Sequence, residues 1–153
     1  MSKAIYPGTF DPITKGHLDI IKRASNLFEE VVVAVAKSKE KNPMFSLEKR
    51  VHMAKKSIKI ENVRVIPFDS LLVDLCKKES INVVIRGLRA VSDFEYELQM
   101  GYANQSLKSD IETIYLMPSL SNAFISSSVV RTILKFGGDV SHLVSEEILE
   151  DLK

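Results

Sequence analysis

A short apolar run, Ala4-Ile5-Tyr6, breaks at Pro7 into Gly8-Thr9-Phe10-Asp11-Pro12-Ile13-Thr14-Lys15-Gly16-His17 and restarts as Leu18-Asp19-Ile20-Ile21. This pattern reads as strand, loop and helix. Glycines at 8 and 16 remove side chains where the backbone must turn or approach a ligand. The helix that follows points its unpaired N–H groups back at the loop, and such a helix start attracts anions. His17 falls in or beside the first helical turn, where an anion would dock, and Thr9 offers a hydroxyl on the same loop. A second helix start appears at Ser126-Ser127-Ser128, which leads into Val129, Val130, Ile133 and Leu134 and stops at Gly137-Gly138. Three hydroxyls there suit capping and phosphate equally, and they exceed what one N-cap requires. Arg86 and Arg89 bracket Gly87 and Leu88 and supply fixed planar cations. Lys37, Lys39 and Lys41 lie on a polar connector, where solvation is the first reading before any motif is considered. The chemistry these residues suit is phosphate recognition. Taken alone, a Gly-rich strand-to-helix turn also serves as a plain tight connection.

Positioning these residues requires a sheet. Strands are expected at Ala4-Ile5-Tyr6, at the β-branched run Val31-Val32-Val33-Ala34-Val35-Ala36, and at residues 63–66, 83–85 and 112–116. Between them run helical patterns. Leu18, Ile21, Ala24 and Phe28 share one face, with Ile20 and Leu27 widening it, and Ser46 can cap a helix with Leu47, Val51, Ala54 and Ile58 at helical spacing. A short helix is expected over 71–78. Ser92 with Glu95 forms a capping-box signature for a helix to about residue 107, with Glu97 on its second turn. Residues 140–152 add a short amphipathic segment.

The alternation predicts the α/β class: a single Rossmann-like domain over residues 1–153, its five-stranded parallel sheet covered by helices on both faces. Ligands in such sheets bind beyond the carboxyl ends of the strands. The glycine-rich loop follows strand one, Lys41 follows strand two, and Arg86 to Arg89 follow strand four. The two helix starts would converge if strands one and five flank the topological switch point.

Composition limits the partners. The 21 Lys and Arg against 20 Asp and Glu give no general basic field, so nucleic acid held by bulk charge is excluded and any anion site must be local. No apolar run approaches the roughly 20 residues of a membrane span, and the N-terminal residues enter a strand without a signal-like apolar region. The single cysteine, Cys76, can form no internal disulfide and reads as core packing in a reducing compartment. These features together predict a cytoplasmic protein.

The run Gly8-Thr9-Phe10-Asp11-Pro12 with Thr14-x-Gly16-His17 resembles the signature of nucleotidyltransferases with a (His/Thr)-x-Gly-His motif. Adding Pro43-Met44-Phe45, Ile85-Arg86-Gly87-Leu88-Arg89-Ala90, Asp93-Phe94-Glu95-Tyr96-Glu97 and Phe124-Ile125-Ser126-Ser127-Ser128, the chain is similar over nearly its whole length to the bacterial phosphopantetheine adenylyltransferases. The resemblance implies adenylyl transfer from ATP to 4′-phosphopantetheine, giving dephospho-coenzyme A and pyrophosphate. It implies His17, Lys41 and Arg89 as catalytic residues, and Thr9, Lys41, Leu72 and Arg86 for phosphopantetheine. For ATP it implies Thr9, Phe10, His17, Gly87, Leu88, Arg89, Glu97, Asn122, Ala123, Phe124, Ile125, Ser126, Ser127 and Ser128. Mg2+ on the phosphates, a homohexamer and feedback by coenzyme A are further expectations of the same resemblance. Asn122-Ala123 departs from the aromatic residue that often precedes Phe-Ile-Ser-Ser-Ser, so adenine is expected to be held by backbone rather than by stacking at 122.

Two other readings use the same loop. A cytidylyltransferase or a nicotinamide mononucleotide adenylyltransferase is disfavoured by the pairing of Arg-Gly-Leu-Arg-Ala with Phe-Ile-Ser-Ser-Ser. A nucleotide sensor without turnover is disfavoured by the joint presence of His17, Lys41 and Arg89.

Overall fold

The computed structural model describes residues 2–38, 42–89 and 91–153, the side chains of residues 91–93 excepted. Five strands, β1 (Lys3–Gly8), β2 (Glu30–Ala36), β3 (Val63–Phe68), β4 (Val83–Gly87) and β5 (Glu112–Leu116), form one sheet in the order β3-β2-β1-β4-β5. Every pairing is parallel. Alternate residues of the apolar runs divide between two cores, as the two-residue period of a strand requires. Ala4, Tyr6, Val31, Val33 and Val35 belong to one cluster, and Ile5, Val32 and Ala34 to the other. A continuous apolar run in β2 is therefore the consequence of cover on both faces.

The helices are α1 (Lys15–Leu27), α2 (Leu47–Ser57), α3 (Leu72–Glu79), α4 (Val91–Leu107) and α5 (Ser127–Lys135), and among the described residues all but α4 contribute to the two clusters. The first cluster takes Ile20, Ile21 and Ala24 of α1, Met53 and Ala54 of α2, and Val130 of α5. The second takes Val73, Leu75 and Cys76 of α3, so Cys76 is the core residue its pattern predicts. Leu27, expected on the packed stripe of α1, is 60% exposed because the helix ends there. Ser46 caps α2 by accepting from Lys49 N, as expected. The expected role of Ser92 as a cap lies outside the described side chains.

The segment after α5 forms no further α-helix. Gly137, at φ 72°, ends α5 in the left-handed region that glycine tolerates, and Gly138 N donates to Ile133 O. Val140, Leu143, Val144 and Ile148 then pack on the first cluster, followed by 3-10 turns at Glu146–Ile148 and Glu150–Leu152. Leu143 O accepts from Lys15 N, which fixes the start of α1 from below.

One expectation about topology is corrected. The switch point lies between β1 and β4, because β1 pairs with β2 on one side and β4 on the other, leaving β5 at the edge beyond β4. The two helix starts still meet, because the β5-to-α5 connection reaches α1 and the β1–α1 loop. Ser119 N donates to Asp19 Oδ2 of α1, and Ser127 Oγ donates to Pro12 O at 2.8 Å.

Candidate active site

A cleft of about 300 Å³ opens at the carboxyl ends of β1 and β4, where a doubly wound sheet binds its ligand. The β1–α1 loop forms one wall and the start of α5 the opposite one. They approach so closely that a Cβ on Gly16 would sit 3.0 Å from Ile125 O and 3.6 Å from Asn122 O. A Cβ on Gly8 would likewise meet the Phe10 ring at 3.0 Å.

His17 is the third helical residue of α1, and Thr14 is its N-cap. The pair forms a capping box in which histidine takes the place of the usual Glu or Gln. Thr14 N donates to His17 Nδ1 at 3.0 Å, and His17 N donates to Thr14 Oγ1 at 3.3 Å. A backbone N–H can only donate, so Nδ1 carries no proton and the neutral ring holds its hydrogen on Nε2. Burial, with the Arg89 and Arg86 guanidinium groups adding to it, pushes the His17 pKa down to about 3. The ring is gripped edge-on by Phe10, with centroids 4.8 Å apart, and Phe10 packs edge-on against Tyr6 at 5.4 Å. Phe10 itself sits at φ 50°, a strained conformation for an aromatic residue. His17 is therefore a fixed neutral N–H donor.

Three guanidinium groups line the cleft: Arg86, Arg89 and Arg131. Arg86 makes a bidentate pair with Glu97, Nε to Oε2 at 2.8 Å and Nη2 to Oε1 at 2.7 Å, and donates from Nη1 to Pro7 O at 3.0 Å. These bonds use three of its five N–H donors, leaving two for an anion. Arg89 Nη1 makes a long 3.5 Å contact with Ile125 O. Arg131 Nη1 donates to Asp11 O at 2.8 Å, and its Nη2 to Ser128 Oγ at 3.1 Å.

The helix-start donors are more selective than the sequence suggests. Lys15 N and His17 N are engaged by Leu143 O and Thr14 Oγ1, and Ser126 Oγ accepts from Val129 N as the cap of α5. Ser127 Oγ bonds Pro12 O and Ser128 Oγ receives Arg131, so each of the three serine hydroxyls has a structural partner. What these elements present to an anion is the His17 ring, the remaining helix-start N–H groups and the cations.

The carboxylates of the cleft are engaged as well. Asp11 is 3% exposed and accepts from Met44 N and Phe45 N through its two oxygens, while both oxygens of Glu97 receive Arg86. Among the described residues no group of three or more His, Cys, Asp or Glu side chains is placed to hold a metal ion. This donor set suits a divalent ion carried by a phosphorylated ligand, not one caged by carboxylates.

The chain is similar in sequence and fold to known proteins. The cytidylyltransferase-like family model covers residues 5–133. A phosphopantetheine adenylyltransferase of Nautilia profundicola is 64% identical over 152 residues, 99% of both chains. That of Campylobacter concisus is 64% identical over 150 residues, covering 97% of this chain and 96% of its own. The chain belongs to the phosphopantetheine adenylyltransferase family. Among solved structures, a candidate nicotinate-nucleotide adenylyltransferase from Vibrio parahaemolyticus superposes with a TM-score of 0.74 at 20% identity, over 99% of each chain. A lipopolysaccharide core biosynthesis protein from Thermoplasma volcanium gives 0.55 at 19% identity, over 78% of this chain and 97% of its own. Those two likenesses speak to the fold.

Of the residues expected from the phosphopantetheine adenylyltransferase resemblance, Thr9, Phe10, His17, Arg86, Gly87, Arg89, Glu97, Ile125, Ser126, Ser127 and Ser128 line the cleft. Lys41 lies outside the described residues. Leu72 opens α3, half-buried against the second core, and Leu88 N extends the ladder by donating to Leu116 O. Asn122 Nδ2 donates to Ser119 Oγ, and Ala123 and Phe124 follow at the rim, with Phe124 63% exposed. Glu97, whose spacing reads equally well as an exposed helical acid, is buried at 8% exposure because Arg86 draws it in. Sequence reasoning missed Arg131. Its position three residues after Ser128, on the same helical face, was the available signal.

Proposed function

We propose that the chain transfers the adenylyl group of ATP to 4′-phosphopantetheine, giving dephospho-coenzyme A and pyrophosphate, reversibly and by direct in-line attack. The observation that carries this reading is the meeting of two helix starts, a neutral Nε2–H donor and three guanidinium groups in one cleft. The names and near-complete coverage of the relatives support the choice of substrates.

A phosphate monoester has its second pKa near 6, so the acceptor is mostly dianionic at pH 7 and needs no general base. Its oxygen forms a bond to the α-phosphorus as the bond to pyrophosphate breaks, and pyrophosphate leaves with the electron pair. Positioning and charge neutralisation carry such a transfer. Arg86 and Lys41, with Thr9 and Leu72, orient the acceptor. His17 Nε2–H and Arg89 meet the charge growing on the leaving group, and Arg131 adds a cation beside Ser128. Mg2+ arrives with ATP and its waters as part of the substrate. The reading also carries a cytoplasmic homohexamer and feedback by coenzyme A.

Incubation with ATP, Mg2+ and phosphopantetheine should yield pyrophosphate and adenylylated phosphopantetheine without ADP. Separation of the products decides it, and ADP with a phosphorylated acceptor would sink the assignment. Binding of ATP with no product of any kind would favour the sensor instead. With a chirally labelled α-phosphorus the configuration should invert.

Gly16→Ala tests the convergence of the two walls. The added methyl must push Ile125 O by a few tenths of an ångström, and ATP affinity should fall about fivefold through this misplacement. Alanine in place of a helical glycine stabilises by about 0.5–1 kcal/mol, so the melting temperature should not drop. Titration calorimetry and a thermal melt read both, and unchanged affinity would place the triphosphate away from Gly16.

A further inference from the structure

Arg50 stands on the first turns of α2, and its side chain is the largest in the molecule to be fully buried, at 1% exposure. A charged residue in that setting needs hydrogen-bond partners. Nε donates to Phe45 O at 3.0 Å, Nη1 to Thr9 O at 2.8 Å and Ala36 O at 2.6 Å, and Nη2 to Lys37 O at 3.3 Å. Among the described residues no carboxylate hydrogen-bonds it directly. The Asp11 carboxylate supplies the opposing charge from nearby, while holding Met44 N and Phe45 N.

The four carbonyls come from three separate stretches of chain: the loop after β1, the end of β2, and the entry to α2. A guanidinium is planar and its donors are fixed relative to one another, so it sets the three stretches at one mutual geometry. A lysine ammonium offers three donors from a single point and cannot reproduce that spread. Thr9, one of the residues gripped, lines the cleft, and its Oγ1 lies 3.3 Å from Ser38 Oγ just past the end of β2. None of the four bonds is made to Thr14, which caps His17, or to the Ser127 link to Pro12, while the Thr9 carbonyl is joined directly to Phe10.

We propose that Arg50 is a positioning residue for the acceptor end of the cleft: without touching substrate, it fixes the Thr9 carbonyl against the end of β2 and so aims the loop that receives the acceptor phosphate. This rests on the reaction given under Proposed function. A group that only stabilised the fold would lower the active fraction and leave both Michaelis constants alone. A positioning group separates the substrates.

The test uses Arg50→Lys, which keeps the charge, and Arg50→Met, which removes it while filling much of the space. Each is assayed beside the unaltered protein with phosphopantetheine and ATP varied in turn, with ATP affinity read by calorimetry and folding by circular dichroism. The expected result for a folded variant is a KM for phosphopantetheine raised about tenfold or more with a lowered kcat, since misplacement by about 1 Å has effects of that order. ATP affinity should change several-fold less than the KM for phosphopantetheine, because the Thr14 bonds that fix His17 are not among those Arg50 makes. Equal loss on both substrates, unchanged Michaelis constants, or failure of both variants to fold would assign Arg50 to stability and overturn the inference. Unaltered protein that makes no dephospho-coenzyme A would instead remove the reaction, and this inference with it.

Discussion

His17→Ala should lower kcat about 10²- to 10³-fold while the KM for either substrate moves far less, as expected for a donor whose bond strengthens only as charge reaches the leaving group. The structural ground is the fixed tautomer. Thr14 N holds Nδ1 as an acceptor, so the single ring proton is on Nε2. A second consequence concerns pH. With its pKa pushed down to about 3 by burial and by Arg89 and Arg86, His17 stays neutral through the working range and should contribute no step to the kcat profile between pH 5 and 9.

Its folded-state pKa lies below the unfolded value of 6.5, so between those two values the unfolded chain binds the extra proton. Stability should therefore fall as pH drops from about 6.5 towards 3, by an amount that His17→Ala removes. Steady-state kinetics across pH and urea unfolding at several pH values measure the two effects. Near-normal turnover in a folded His17→Ala protein, or a kcat step that vanishes with the ring, would refute the role given to it.

Arg86→Ala should act on both stability and the acceptor. Removing the guanidinium leaves the Glu97 carboxylate, 8% exposed, without its bidentate partner. Breaking a fully buried pair destabilises by 3–5 kcal/mol, and because the Arg86 side chain is 31% exposed the expected loss is smaller, about 2 kcal/mol. The KM for phosphopantetheine should rise and kcat fall, with ATP binding largely kept. The double variant Arg86→Met with Glu97→Met separates the two roles, since an apolar pair of similar volume can restore stability without restoring the charge. Its urea midpoint should recover while its KM stays high. Recovery of both would mean that Arg86 serves the fold alone.

The sheet was legible because its signal is local. β2 shows as six consecutive apolar residues, and the helices between strands show as stripes at helical spacing. That β2 adjoins β1 could be read from the sequence, but the strand on the other side of β1 could not. Nothing in periodicity tells that β4 rather than β5 lies beside β1, because that choice is settled by how crossovers pack in three dimensions. The Thr14-x-Gly16-His17 spacing was read as a phosphate motif, yet it is also the offset of a capping box, and the structure shows that the same three-residue interval orients the imidazole.

Arg50 illustrates the opposite case. In sequence it sits in Glu48-Lys49-Arg50 on an amphipathic helix and looks like one more solvated charge. Its burial depends on carbonyls from residues 9, 36 and 37, which only the folded sheet brings together. Glu97 was ambiguous for the same reason, its partner being on β4.

Cys76 carries a consequence for the chemistry of sulfur. The proposed acceptor ends in a thiol, and a thiol meets a protein most readily through exchange with an accessible thiolate or disulfide. The only sulfhydryl of this chain is fully buried on the inner face of α3, and burial raises its pKa, so it is neither exposed nor ionised at neutral pH. Oxidation of the cellular thiol pool would then reach the substrate and pass the catalyst by. On the proposed reaction, the chain would handle a redox-active carrier while its own sulfhydryl stays outside that carrier's redox cycle.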